Sequence, residues 1–182
     1  MAVTGDPFWQ VIDAKALPVP GAVLALHKGA GQRQFEGRAR IERGTHPIVR
    51  MGLWLSGFPP EGQDVLVTLT IRVGDETSEW VRDFGGHITR SRLWFETDRV
   101  EVGEQLGPFR LRLALSVEED QLCMTVAGFS LWGIPLPRWC HPISETREFE
   151  DGKGRFCFDV SGRMPGLGLI IRYIGHLTPV GD

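Results

Sequence analysis

The sequence of 182 residues has little of what marks the more specialised protein classes. Its formal net charge is only −3, so the strongly basic face of a typical nucleic-acid-binding protein is missing. No apolar run approaches the roughly 20 residues that a membrane-crossing helix needs. The five histidines and three cysteines show no metal-binding spacing, and no dinucleotide or phosphate-binding loop is present, so we expect no metal and no cofactor.

The scarcity of cysteine also bears on the compartment. Cys123, Cys140 and Cys157 form no Cys-x-x-Cys pair, and an odd number is atypical of a secreted domain held by disulfides. The first six residues lack the basic and apolar regions of a signal peptide. These observations favour reduced thiols and a cytoplasmic location. The length fits one domain over residues 1–182.

The first third of the chain has helical patterns. Asp6 and Pro7 are typical of a helix start, and the apolar stripes that follow predict an N-terminal helical segment over about residues 6–28. A further helix is expected over about residues 46–58, beginning at Pro47. Because it is apolar almost all round and lacks the broad basic face of a membrane-surface helix, we expect it to be buried.

The β-rich region covers residues 64–178, after a first strand at residues 35–42. Apolar and polar residues alternate most clearly over 109–118, which is typical of a half-buried strand. About ten strands follow one another with short connections and no helix after residue 60, so the sheet must be mostly antiparallel. We predict an α+β, mostly β fold: a curved antiparallel sheet or closed barrel of about ten strands, with two or three helices in the first third. A helix-grip fold is the alternative, but it needs a long C-terminal helix.

Aromatic and cationic residues share strand faces in the middle of the chain. Trp80 and Arg82 lie on one face of a strand, and Arg92 and Trp94 share a face of the next. If the two strands pair through Gly85-Gly86, both sets line one surface. Arginine stacks on tryptophan and binds carboxylate or enolate oxygens in a forked geometry. The functional interpretation is a pocket wall for an oxygen-bearing ligand, and the alternative is an exterior ladder of aromatic and arginine side chains.

Two residues are candidates for catalysis. Tyr173 is the only tyrosine, and it is in phase with Leu169 and Ile171 on the expected inner face of the last strand, where a phenol can donate a proton. The alternative is a core tyrosine with its hydroxyl bonded to backbone. His46, at a helix start, is either a pocket base or a helix cap.

Several segments together resemble a bacterial family of domains called DUF4166, in order over about residues 20–178. The most specific segment is Gly133-Ile-Pro135-Leu-Pro137-Arg138-Trp139, and each other segment alone is weak. The others are Phe35-Glu-Gly37-Arg-Ala, His46-Pro47-x-x-Arg50, Pro59-Pro60-Glu-Gly62-x-Asp64-Val, Trp80-x-Arg82-x-Phe84-Gly85-Gly86, Ser91-Arg92-Leu93, Phe156-x-Phe158-Asp159-Val160 and Arg172-Tyr173-x-Gly175-x-Leu177. Arg50 and Phe158, found in these segments, complete the candidate ligand-binding residues.

The resemblance implies no agreed activity and no established catalytic residues. Members of the family often look like the C-terminal partner of a saccharopine-dehydrogenase-like or other nicotinamide-dependent domain. Two functions are in competition. The first is binding of an apolar, oxygen-bearing small molecule in an apolar pocket, with a cofactor-free cyclase or isomerase step of secondary metabolism if the protein is an enzyme. The alternative is a noncatalytic accessory domain that docks on a separate oxidoreductase. Neither involves nucleic acid or a membrane span.

Overall fold

Three helices lie in the first third of the chain in the computed structural model, which describes residues 5–181. They are α1 (Pro7–Ala14), α2 (Gly21–His27) and α3 (Pro47–Leu55). Asp6 caps α1, because its Oδ1 accepts the backbone N–H of Trp9 at 3.0 Å. The predicted position of the helices is confirmed. Within the described residues, no helix has the length and apolar character needed to cross a membrane.

Ten strands form a closed antiparallel barrel, as the sequence predicts. In barrel order they are β1 (Gln32–Arg43), β2 (Gly62–Val73), β3 (Thr77–Phe84), β4 (His87–Glu96), β5 (Glu101–Leu106), β6 (Phe109–Glu118), β7 (Gln121–Leu131), β10 (Thr146–Glu150), β11 (Phe156–Met164) and β12 (Gly168–Pro179). Two short strands lie outside this order: β8 (Ile134–Pro135) pairs with β7, and β9 (Ile143–Ser144) pairs with β11. A 3₁₀ turn, Arg138–Cys140, lies between them.

Two of the barrel's ladders join strands that do not follow one another in the chain. The first and last strands pair along nine residues, from Phe35 opposite Pro179 to Arg43 opposite Ile171. β7 and β10 pair along three residues, from Met124 opposite Thr146 onwards. We call this short ladder the seam. Closure gives each of the ten strands a paired neighbour on both sides.

Helices lie at both ends of the barrel. At one end, α1 and α2 are joined by a hydrogen bond from the backbone N–H of Asp6 to the carbonyl oxygen of His27, 3.1 Å. At the other end, the hydroxyl of Thr89 donates to the carbonyl oxygen of Gly57, just beyond α3, at 2.7 Å. The expectation that α3 is buried is wrong. Only Val49 and Leu53 of α3 are buried, because the helix lies across the barrel end and turns one face to it.

β1 and β12 approach each other closely around two glycines. Gly37 lies opposite Leu177, and a Cβ atom on Gly37 would overlap the carbonyl oxygen of His176. Gly175 lies opposite Ala39, and a Cβ atom there would overlap a backbone carbonyl of β1. Glycine is therefore required at both positions for this ladder to form.

Candidate functional site

A cavity of about 580 Å³ occupies the inside of the barrel. Phe8 and Leu26, both buried, close it at the end covered by α1 and α2. Ile48 and Trp139 line it at the opposite end and are largely exposed, so the cavity opens there. A chamber with one mouth is the usual form of a small-molecule site.

The wall of this cavity is mostly apolar because the strands alternate. In β6, Leu111 and Leu113 line the cavity, whereas Arg110 and Arg112 point outwards and pair with carboxylates on the barrel surface. The other wall strands supply mainly valine, leucine, isoleucine, phenylalanine and methionine. The two-residue period read from the sequence therefore decides which side chains a ligand would meet.

One polar cluster interrupts the apolar wall. Arg82 of β3 donates from Nη1 to the hydroxyl of Ser91 on β4 at 2.7 Å, and its Nη2 lies 3.5 Å from Oε1 of Glu104 on β5. Its guanidinium also lies over the ring of Trp80, 4.9 Å from the centroid. Three adjacent strands thus hold the arginine in place, and its charge is largely shielded from bulk water.

Tyr173 of β12 belongs to the same region. Phe84 and Phe158 meet its ring edge-on, with centroids 5.7 Å and 6.1 Å away. Burial raises the pKa of the Tyr173 hydroxyl; the charge of Arg82 lowers it, and the carboxylates of Glu104 and Glu148 raise it further. The phenol is therefore protonated at neutral pH and can donate a hydrogen bond into the cavity.

A second polar group lies at the closed end of the cavity. Nδ1 of His27 lies 2.9 Å from Oδ2 of Asp6, and its Nε2 lies 2.7 Å from Oε2 of Glu148. We call these three buried residues the triad. Burial alone would lower the pKa of His27, but the two carboxylates outweigh it and raise the pKa to about 10. At neutral pH His27 is therefore an imidazolium that donates to both carboxylates.

The triad connects the helices to the cavity wall. The ring of His27 packs against Phe8 and Trp80, with centroids 4.9 Å and 5.7 Å away, and both Trp80 and Glu148 line the cavity. Among residues 5–181, no three or more His, Cys, Asp or Glu side chains are arranged to hold a metal ion.

The structure brings four of the predicted site residues together. Trp80, Arg82, Phe158 and Tyr173 all line the cavity, although they come from three different strands. Tyr173 faces inwards, as its phase in the last strand predicts.

Arg92 and Trp94 lie elsewhere, and the predicted common surface is wrong. β3 and β4 do pair through Gly85-Gly86, but Arg82 lies opposite Thr89 and Trp80 opposite Ser91. Arg92 and Trp94, on the alternate phase of β4, therefore face outwards. Trp94 donates from its indole to Oε1 of Glu96 at 2.6 Å, and Arg92 is exposed. For these two residues, the exterior ladder describes the structure.

His46 and Arg50 also lie outside the cavity wall. His46 caps α3, where its Nδ1 accepts the backbone N–H of Ile48 at 3.3 Å. Arg50 is exposed on the outer side of the same helix. Neither lines the cavity, so the candidate roles as pocket base and pocket ligand have no geometric support.

Sequence reasoning missed the acidic part of the site. Glu104 is in phase with Val102 and Leu106 in β5. A carboxylate on an otherwise apolar strand face indicates a buried polar site, so the sequence does carry a signal for Glu104. His27 likewise lies four residues after the buried Val23 on the apolar side of α2. Nothing in the sequence pairs His27 with a strand 121 residues away.

A family model described as a domain of unknown function, DUF4166, matches residues 20–177. The chain belongs to this family. The DUF4166 match confirms the resemblance read from the sequence segments, and it covers nine of the ten barrel strands in full and most of the last. It includes Arg82, Glu104 and Tyr173, and it includes two members of the triad, with Asp6 outside its bounds. No curated protein and no solved structure matches the chain.

Proposed function

We propose that the barrel binds one apolar, oxygen-bearing small molecule in its cavity. The observation that carries this proposal is a cavity of about 580 Å³ whose mostly apolar wall carries a polar cluster around Arg82, in the same region as Tyr173. Small-molecule sites typically have volumes of about 300 to 1,000 Å³ and use a few polar groups to fix the ligand's orientation. An apolar body with one carbonyl or carboxylate group complements this arrangement.

The polar cluster supports a defined ligand orientation. Arg82 presents a fixed guanidinium and Tyr173 a protonated hydroxyl, and both favour an oxygen acceptor with partial or full negative charge. The apolar remainder of the ligand then extends past Ile171 and Gly162 towards the mouth beside Trp139. Binding in this orientation removes apolar surface from water while the ligand oxygen keeps hydrogen-bond partners.

The finer proposal is a cofactor-free isomerisation or cyclisation of that ligand. Tyr173 donates a hydrogen bond to a carbonyl oxygen, and Arg82 stabilises the enolate charge that develops when a proton leaves the neighbouring carbon. Glu148, which lines the cavity and holds His27 through Oε2, accepts this proton and returns it to another carbon. The proton is conserved, so product and substrate are isomers.

Native mass spectrometry of the purified protein tests the binding proposal. We expect one small molecule per chain that is lost on denaturation. If the protein is purified empty, 11-(dansylamino)undecanoic acid serves as a probe, because it combines an apolar chain with a carboxylate. Its fluorescence should rise on binding, and Val160→Phe, which narrows the cavity, should abolish the rise.

Val81→Phe is the matched control, because Val81 lies on the alternate phase of β3 from Trp80 and Arg82 and does not line the cavity. Equal probe binding by both phenylalanine variants would place the probe outside the barrel. A barrel that retains no molecule and binds no probe contradicts the proposal and leaves the accessory role beside an oxidoreductase.

A further inference from the structure

Large apolar side chains are exposed at the open end of the barrel. This end is formed by residues 44–60, 85–88, 107–108, 132–144 and 162–168, which we call the rim. Of the eleven large apolar side chains exposed in residues 5–181, nine belong to the rim. They are Ile48, Met51, Trp54, Leu55, Ile88, Trp132, Ile134, Trp139 and Ile143. Such concentration in one place marks an interaction surface.

Three of these side chains are tryptophans. Trp54 and Trp139 are 77% exposed and Trp132 is 71% exposed. They come from α3 and from the segment between β7 and β9, on either side of the cavity mouth that Ile48 and Trp139 line. Tryptophan is enriched where proteins meet the headgroup region of a bilayer, because its ring is apolar and its N–H stays hydrated.

The charges of the rim have one sign. Its only formally charged side chains are Arg50, Arg138 and Arg163, all exposed, and it contains no aspartate or glutamate. Carboxylates adjoin the rim without belonging to it: Oδ1 of Asp83 accepts the backbone N–H of Gly86 at 2.6 Å, and Glu61 and Glu145 follow two of its segments in the sequence. The barrel as a whole is not basic, since the chain carries a net charge of −3.

The opposite end of the barrel has the reverse character. Its turns at residues 74–76, 97–100, 119–120 and 151–155 hold three basic residues and six carboxylates, which are Asp75, Glu76, Asp98, Glu119, Asp120 and Asp151. The helices that cover this end add the exposed Asp13, Lys15 and Lys28, so carboxylates remain in excess. The molecule is therefore polarised along the barrel axis. An anionic surface attracts the rim and repels the closed end, so it orients the molecule with the cavity mouth towards the surface.

We propose that the rim docks on the surface of a bilayer that contains anionic lipids. Apolar burial in the headgroup region together with arginine attraction to lipid phosphates is the known physical basis of such peripheral binding. A second copy of this chain is a poorer occupant, because two facing rims would bring the three arginines of each copy together without a carboxylate. The short α3 contributes through its exposed face and through its neighbours, since it is too short to bind by itself.

Docking in this orientation deepens the proposed function, and to that extent rests on it. The mouth of the cavity would face the bilayer, so an apolar ligand could pass between the acyl-chain region and the barrel without crossing water. The ligand class is then a membrane-resident lipid with an oxygen-bearing group, and Arg82 and Tyr173 receive that group at depth.

Sedimentation of the full chain with large unilamellar vesicles tests the docking. We expect binding to vesicles of phosphatidylcholine and phosphatidylglycerol at 3:1, and much weaker binding to phosphatidylcholine alone. The variant Trp54→Ser/Trp132→Ser, in which neither residue lines the cavity, should bind about tenfold or more weakly. Replacing Arg50, Arg138 and Arg163 by glutamine should lower binding to anionic vesicles by about fivefold for each arginine.

Matched controls lie on the barrel wall. Leu66→Ser removes an exposed apolar side chain outside the rim, and Arg92→Gln removes an exposed arginine there. Both variants should bind vesicles as the wild type does, and circular dichroism checks that every variant is folded. No vesicle binding, equal binding to both vesicle types, or equal loss in rim and wall variants would overturn the proposal, and the first result would leave a protein partner as the occupant.

The probe experiment on the same proteins separates the two proposals. A chain that sediments with anionic vesicles but binds no probe supports the docking and contradicts ligand binding. A chain that binds the probe but not the vesicles supports ligand binding and overturns the docking.

Discussion

Nε2 of His27, the last residue of α2, lies 2.7 Å from Oε2 of Glu148 in the middle of β10. The same imidazolium holds Asp6, which caps α1. One buried cation therefore joins both N-terminal helices to β10, one of the two strands of the seam. Since each buried carboxylate would be costly without its partner, the protonation state of His27 controls the attachment of the helices.

The first prediction concerns pH. The folded pKa of His27 is about 10, above its ordinary value of 6.5. A raised folded pKa contributes stability that is fully present below pH 6.5 and is lost as the pH rises through 10, with a slope of up to about 1.4 kcal/mol per pH unit. Urea unfolding at pH 6, 8 and 10 should show this decline, and NMR of the imidazole should show protonation persisting well above pH 7.

Glu148→Gln is the companion variant, because it keeps an acceptor and removes one of the two negative charges. We expect the folded pKa of His27 to fall and the loss of stability to begin at lower pH. If the pKa of His27 itself is near 6.5 in the folded wild type, the ion pairs of the triad are contradicted.

The second prediction concerns Tyr173. Tyr173→Phe removes only the hydroxyl and keeps the ring that packs against Phe84 and Phe158. The melting temperature should barely change, whereas binding of the dansyl probe should weaken by about tenfold and turnover of a substrate should fall about ten- to a thousandfold. A lower melting temperature with full probe binding would assign the hydroxyl a structural role.

The third prediction separates two arginines that the sequence groups together. Arg82 lines the cavity, so its loss should weaken binding of the carboxylate probe by about ten- to a hundredfold, the scale of one charge-assisted hydrogen bond. The variant Arg82→Gln/Glu104→Gln avoids leaving a buried carboxylate unpaired. Arg92→Gln is the control, and its probe affinity should equal that of the wild type. Equal effects would mean that the guanidinium of Arg82 does not contact the probe.

The fourth prediction concerns the ladder between the first and last strands. Gly37→Ala forces a methyl group against the carbonyl oxygen of His176, and overpacking of this kind costs about 1 to 3 kcal/mol. Gly152→Ala, where no atom lies within 4 Å of the added carbon, should be close to neutral. Urea midpoints measure both effects, and an unchanged midpoint for Gly37→Ala would show that β1 and β12 do not approach as closely as described.

Strand alternation predicted the barrel and the inward position of Tyr173, because a two-residue period decides the face of each side chain locally. The same alternation decides the face of Arg92 once the pairing across the turn is taken into account. Across the Gly85-Gly86 turn, Phe84 pairs with His87, so residue 82 must pair with residue 89. Odd-numbered residues of β4 therefore share the face of even-numbered residues of β3. Because the turn has two residues, the register of β3 and β4 follows directly from the sequence.

Other parts of the site could not be predicted from strand register. The contact between His27 and Glu148 depends on where α2 rests on the finished barrel, and no local pattern encodes that position. The exposure of α3 differs from the expected burial for another reason. An apolar helix surface is more stable against a partner than in water. The sequence does not say whether that partner is the protein's own core or another molecule.

The pairing of the first strand with the last has a kinetic consequence. Neighbouring hairpins such as β6 and β7 form from local contacts, but the nine-residue ladder between β1 and β12 requires almost the whole chain. Until this ladder forms, a partly folded chain has unpaired strand edges that can associate with other chains. Slow refolding that yields more monomer at low protein concentration is the behaviour this topology implies.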